Sequence, residues 1–160
     1  METFNLIHVG IAEMEISNGE NILRTILGSC IGICLYDKSM KLGGLAHIML
    51  PSGNSTDALA GKYADTALPL LVRRMEEAGS NIRKIKAKIA GGAKMFNLPD
   101  NSMIASIGMS NSNKVEKLLS EMGIELLAKD VGGNYSRIIN FHLLNGDVKV
   151  KATNIPDITL

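Results

Sequence analysis

Short apolar runs and alternating apolar and polar positions recur along this chain. They predict strands at residues 31–36, 42–50, 84–90, 124–129, 138–144 and 148–152. Polar residues 37–41 separate the first two strands, which are therefore expected to form a hairpin. Asn145-Gly146, between the last two strands, suits the positive φ angles of a tight turn and predicts a second hairpin.

Two other stretches carry apolar residues at helical spacing. The first covers residues 61–79, although Pro69 inside a helix costs about 3 kcal/mol, so this helix either bends at the proline or begins later. The second covers residues 111–122, where Asn111 or Ser112 can cap the first turn. Together the elements predict an α/β fold with more strand than helix.

Composition narrows the class of protein. The 160 residues are 46% hydrophobic and 21% charged, which suffices for one domain spanning 1–160. The formal net charge is only +1, so no strong field favours nucleic acid or an anionic membrane. Met1–Asn5 does not begin a signal sequence, and no apolar run reaches the roughly 18–20 residues of a membrane span. We therefore expect a cytoplasmic protein without nucleic-acid binding or membrane insertion.

The two cysteines carry the first candidate chemistry. Cys30 and Cys34 are too few and too close for a disulfide framework, so both are expected to be free thiols, and Cys34 a core residue. Gly28 permits a sharp turn before Cys30, where the amides of Ser29 and Cys30 can point at an oxyanion. Cys30 is thus a candidate nucleophile if a base lies nearby. An inert, buried thiol is the alternative.

His47 is the candidate base, because the first hairpin returns it alongside Cys30. If the strands fold symmetrically about residues 38–40, His47 lies on the opposite face of the sheet from Cys30. One extra residue at Gly43-Gly44, a natural site for a β-bulge, would place both side chains on the same face. A core histidine bonded to the backbone is the alternative role for His47.

Other kinds of site are less well supported by the sequence. Both cysteines and His47 could form a metal site, but Cys-x-x-x-Cys on a strand is not a familiar zinc spacing, and neither other histidine is an obvious fourth ligand. Gly91-Gly92 and Gly132-Gly133 lack the context of a phosphate-binding loop. We expect both pairs to form tight turns or close backbone approaches around the site, and we predict no metal and no cofactor.

Five blocks of sequence, in order, then point to a family. They are Leu27-Gly28-Ser29-Cys30 with Tyr36-Asp37, Gly44 to Pro51, Gly61 to Asp65, Ala87 to Phe96, and Asp130 to Asn134. In these blocks the chain resembles the chemoreceptor glutamine deamidases, the CheD proteins of bacterial and archaeal chemotaxis. The resemblance covers nearly the whole length. It implies a single-domain layered sandwich of mainly antiparallel strands with two main helices, the fold type of CheD and of cytotoxic-necrotizing-factor cysteine deamidases.

The resemblance also implies roles for individual residues. Cys30 would be the nucleophile and His47 the general base and acid, with a threonine shortly before the cysteine as the third group. That residue is Thr25 here, although an alternative alignment puts Arg24 at the family position. Oxyanion or substrate contacts are expected around Gly28, Ser29, Gly91 and Gly92.

A reaction and partners follow from the same resemblance. The chain would hydrolyse specific glutamine side chains to glutamate in methyl-accepting chemotaxis receptors, through a thioester on the cysteine and with release of ammonia. A CheC-type phosphatase of the phosphorylated response regulator is a possible second partner at the same cleft. The alternative function is that of a non-catalytic adaptor, which would bind receptors or that phosphatase through the cleft.

Overall fold

The computed structural model describes residues 4–53, 59–95 and 103–160. Within these ranges the chain forms ten strands and two α-helices. The elements are β1 (Leu6–His8), β2 (Met14–Asn18), β3 (Ile22–Leu27), β4 (Ile31–Asp37), β5 (Leu42–Ile48), α1 (Ala64–Glu77), β6 (Ile85–Gly91), α2 (Met103–Glu121), β7 (Glu125–Val131), β8 (Arg137–His142), β9 (Val148–Ala152) and β10 (Ile155–Thr159). Neither helix of the described ranges combines the length and apolarity that crossing a membrane requires.

The strands form two five-stranded sheets. We call the sheet with strand order β1-β3-β8-β9-β10 the outer sheet and the one with order β2-β5-β4-β6-β7 the central sheet. Only the β1–β3 and β6–β7 pairs are parallel among the described strands. The α/β class and the layered, mainly antiparallel arrangement with two helices are thereby confirmed.

The central sheet is buried on both faces at its middle strands, which explains the continuous apolar run of β4. Ile31, Ile33 and Leu35 pack with residues of α1 and α2, whereas Cys34 packs against residues of the outer sheet. Successive side chains of a strand point to opposite faces, so one strand supplies both apolar layers. The molecule therefore has three layers: outer sheet, central sheet and helices.

Most of the predicted elements are present, but both helices differ from the prediction in where they begin. All six predicted strands occur within a few residues of their expected bounds. Helix α1 begins at Ala64 instead of residue 61, and Pro69 lies on its exposed face beyond the first turn, so the later start does not move the proline out of the helix interior. Helix α2 begins at Met103 instead of near Asn111, and neither Asn111 nor Ser112 is its cap.

The predicted bulge in the first hairpin is also wrong. The β4–β5 register runs without a break from Ile31 opposite Ile48 to Asp37 opposite Leu42. A side chain at Gly43 would collide with Leu143, which directly follows β8 of the outer sheet, and one at Gly44 would collide with Leu71 of α1. These glycines therefore serve close packing of β5 between its two neighbouring layers.

Candidate active site

Cys30 and His47 lie on the same face of the central sheet. The register of the β4–β5 pair produces this arrangement, without a bulge. His47 pairs with Gly32, and residues directly opposite each other in a sheet share a face. Cys30 lies two residues before Gly32, immediately ahead of β4, and packs against the apolar cluster between the two sheets. The two side chains are therefore diagonal neighbours in the layer between the sheets, with no side chain on Gly32 to separate them.

A buried hydrogen bond joins His47 to the outer sheet. Thr25 Oγ1 of β3 lies 2.7 Å from His47 Nδ1 and 2.6 Å from the carbonyl oxygen of Val9. A hydroxyl has one proton, and a carbonyl can only accept, so the Thr25 proton is donated to Val9. Thr25 must then accept from His47, which fixes the proton of the neutral imidazole on Nδ1.

That tautomer leaves Nε2 of His47 as a base. The imidazole is 2% exposed, and Nε2 has no hydrogen-bond partner in the described part of the chain. Burial lowers the pKa of His47 to about 4, with a smaller contribution in the same direction from His8 that Glu13 partly offsets. The ring is therefore neutral at pH 7, with its lone pair available to accept a proton.

Thr25, and not Arg24, is the residue that reaches His47. Thr25 is 1% exposed, and its neighbours along β3 point to the opposite face of the outer sheet. The alternation of buried Leu23, Thr25 and Leu27 with more exposed residues gives the same orientation.

Cys30 is partly buried, and this raises the pKa of its thiol. Desolvation is the larger effect, and the N–H of its own backbone partly offsets it by stabilising the thiolate. The resting pair is thus a neutral thiol beside a neutral imidazole. Cys34 is fully in the core, where burial raises its pKa far above the ordinary range. Reactivity is therefore expected at Cys30.

The loop before Cys30 rests on the end of β6. Gly92 N–H donates to the carbonyl of Cys30 over 2.9 Å, and Ala93 N–H donates to the carbonyl of Gly28 over 3.0 Å. A side chain at Gly91, which has φ of 114°, would collide with the same Cys30 carbonyl. The pair 91–92 thus makes the close backbone approach that the sequence predicts.

Among the described residues, the N–H groups of Ser29 and Cys30 donate to no backbone acceptor outside the strand ladders. The Cys30 N–H lies close enough to its own sulfur to stabilise the thiolate, so the Ser29 amide is the one that remains available to a ligand. The Gly92 amide is engaged by Cys30 and is not similarly available. In the described ranges no three His, Cys, Asp or Glu side chains are grouped so as to hold a metal ion.

Comparison with known proteins places this chain in a family. A family model described as CheD chemotactic sensory transduction matches residues 49–152. A protein of Clostridium acetobutylicum named "Probable chemoreceptor glutamine deamidase CheD" is 45% identical over 157 residues, which cover 96% of this chain and 95% of the relative. The chain belongs to the CheD family. CheD-named relatives include proteins of Clostridium kluyveri (47% identical over 93% of this chain and 94% of the relative) and Desulfitobacterium hafniense (45% over 94% and 95%).

Two buried polar residues of this CheD-family chain were not found by sequence reasoning. Asn111 contacts the Cys30 loop from α2. Arg137 of β8 donates to Asp130 over 2.9 Å and to the carbonyl of Gly132 over 2.8 Å, which ties the end of β7 to the outer sheet. Arg137 could have been suspected from the acidic and glycine-rich block at 130–134. Asn111 gave no local signal except its resemblance to a helix cap. Phe96, which ends another block of the resemblance, lies outside the described residues.

Proposed function

We propose that this protein deamidates glutamine side chains of chemoreceptors, with Cys30 as nucleophile, His47 as general base and acid, and Thr25 as the residue that orients His47. The observation that carries the proposal is the unpartnered Nε2 of a neutral, buried His47 that shares one face of the central sheet with its diagonal neighbour Cys30. The names of the relatives support the substrate, since they are called chemoreceptor glutamine deamidases.

The first half of the reaction transfers the acyl group to sulfur. Nε2 of His47 takes the thiol proton as Cys30 Sγ bonds to the carboxamide carbon of glutamine. The amides of Ser29 and Cys30 would stabilise the oxyanion of the tetrahedral intermediate, and Gly28 would help to hold the loop through its carbonyl, which accepts from Ala93. His47 then returns the proton to the amide nitrogen, the carbon–nitrogen bond breaks, and ammonia leaves a thioester on Cys30.

The second half consumes water. Nε2 accepts a proton from a water molecule as its oxygen attacks the thioester carbon, and the carbon–sulfur bond then breaks. The Cys30 thiol recovers its proton from His47, and the product is glutamate. Gly91 and Gly92, which are both buried, contribute by supporting the Cys30 loop. No step requires a metal or cofactor.

The partners that we propose are those of the family resemblance. Methyl-accepting receptors would present glutamines on their cytoplasmic helices, where each deamidation adds one negative charge. A CheC-type phosphatase would compete with the receptor for the same cleft. With these partners the protein would act in the cytoplasm, as a single domain.

The deciding experiment follows glutamine-to-glutamate conversion in a cognate receptor fragment by mass spectrometry. We expect conversion by the wild type, none by Cys30→Ala, and retained conversion by Cys34→Ala, the matched control that removes a buried thiol outside the site. Equal conversion by wild type and Cys30→Ala refutes the nucleophile assignment. A wild type that binds the fragment without converting it identifies the chain as an adaptor instead.

A further inference from the structure

Asn111 lies in the middle of α2 and is fully buried. Its Nδ2 donates two hydrogen bonds, one of 3.0 Å to the carbonyl of Ser29 and one of 2.9 Å to the carbonyl of Met49. Ser29 precedes Cys30, and Met49 comes two residues after His47. A single side chain from the helical layer therefore holds the segments that carry both reacting groups.

These two segments lie beyond the end of the strand ladder. The last β4–β5 pair at this end is Ile31 opposite Ile48. From there the backbone of Met49 turns away, and its N–H donates to the carbonyl of Lys62. The two Asn111 bonds thus replace the next rung of the ladder at the position where Cys30 and His47 must keep a fixed separation.

The chemistry of the contact requires an amide. Both partners are carbonyl oxygens, so the side chain must supply two donors, which a carboxylate cannot do. Its own Oδ1 is buried and has no hydrogen-bond partner in the ranges that the structure describes. A buried unpaired acceptor is unfavourable for stability, so the stability of α2 does not by itself account for an asparagine here.

Close packing keeps the helix at the required distance. A side chain at Gly108, one turn before Asn111, would collide with the carbonyl of Gly92, and one at Gly92 would lie 2.9 Å from the carbonyl of Gly108. The backbone of α2 therefore rests directly on the glycine pair that supports the Cys30 loop. The distance from α2 to Ser29 is set by backbone contact and not by flexible side chains.

We propose that Asn111 is a positioning residue for the deamidation, and this rests on the function proposed above for Cys30 and His47. It would hold the Cys30 loop and the end of β5 at the spacing that lets Nε2 reach the thiol, without touching the substrate. Small displacements of reacting groups have large effects on rate, on the order of 100-fold for 1 Å.

The test compares Asn111→Ala and Asn111→Asp with two controls on the same helix. Val115→Ala removes buried apolar volume. Ser112→Ala removes a hydroxyl whose hydrogen bond, in the part of the chain that the structure describes, stays within the helix and goes to the carbonyl of Met109. For both Asn111 variants we expect kcat on the receptor fragment to fall about 10- to 100-fold with little change in KM. Asn111→Asp should be no better than Asn111→Ala, because its carboxylate faces two carbonyls.

Hydrogen–deuterium exchange supplies a readout that does not depend on catalysis. Exchange in residues 28–31 and 47–50 should accelerate in both Asn111 variants, but not selectively in the controls, even if Val115→Ala lowers stability by as much. An Asn111→Ala variant with kcat within twofold of the wild type, or with unchanged exchange in both segments, would overturn the proposal. If the wild type converts no glutamine, the proposed function fails, and the exchange data still decide whether Asn111 holds the two segments.

Discussion

Thr25→Val is the sharpest perturbation of the candidate site. Valine keeps nearly the same volume in the layer between the sheets but removes the hydroxyl that donates to Val9 and accepts from His47. Two buried groups then lose their partner: the Val9 carbonyl and the Nδ1–H of His47. The change therefore tests the hydrogen bonds with little disturbance of the apolar packing.

The expected magnitudes follow from those two bonds. Each buried group left without a partner costs about 1–3 kcal/mol, so the free energy of unfolding should fall by about 2–6 kcal/mol. In catalysis only the bond to His47 matters, since it keeps the proton on Nδ1 and the base on Nε2. A loss of about 1–3 kcal/mol there lowers kcat about 5- to 150-fold, at 1.36 kcal/mol for each factor of ten.

The assay pairs urea unfolding with glutamine conversion, and Thr25→Ser is the matched control. Serine retains the hydroxyl, so it should keep kcat within a few-fold of the wild type while losing one methyl group of packing. Nitrogen-15 NMR of the His47 ring reports the tautomer directly and should show Nδ1 protonated in the wild type. The reasoning fails if Thr25→Val retains wild-type kcat, or if Thr25→Ser is as impaired as Thr25→Val.

Two further predictions concern the Cys30 loop and the protonation of His47. Gly91→Ala should displace the Cys30 carbonyl and abolish activity. The control Gly123→Ala, also at positive φ but in open space, should lower stability without lowering activity. Equal activities of the two variants in the conversion assay would contradict this prediction. The pKa of His47 is about 4 in the folded protein and 6.5 ordinarily, so between these values the unfolded chain binds more protons than the folded one. The contribution of His47 to the free energy of unfolding should therefore be fully present above pH 6.5 and decline as the pH falls toward 4. Urea unfolding over that pH interval should show a smaller decline in the free energy of unfolding for His47→Gln than for the wild type. An equal decline in both proteins would refute the lowered pKa of His47.

Local patterns were sufficient for some elements and not for others. The hairpin around 37–41 could be predicted because its signals, two apolar runs and a polar turn, lie next to each other in sequence. The sequence did not predict strand β3, because its polarity does not follow its alternation of buried and exposed residues. Thr25 is polar but buried, and Ile26 is apolar but 53% exposed. Strand β1 has only three residues and pairs with β3 in parallel, so no local turn marks it.

The error over α2 has a related cause. Asn111 belongs to the residue types that cap helices, and a pattern of local preferences therefore places it at an end. In the structure it lies in the middle of α2, where the two carbonyls of Ser29 and Met49 satisfy its amide. A tertiary contact outweighs the local preference, and no spacing within the helix reveals it. A polar residue in a position that local rules disfavour was thus a sign of the site.

Gly32 shows why the site lies where it does. His47 belongs to the central sheet and Thr25 to the outer sheet, so a bond of 2.7 Å between them requires the two sheets to approach closely. A side chain at Gly32 would lie 2.9 Å from Ile139 and 3.0 Å from Leu27, both residues of the outer sheet. A larger residue there would have to displace the ends of these two side chains in the layer beside His47. The glycine that pairs with His47 therefore leaves room for the close approach of the sheets, on which the bond between Thr25 and His47 depends.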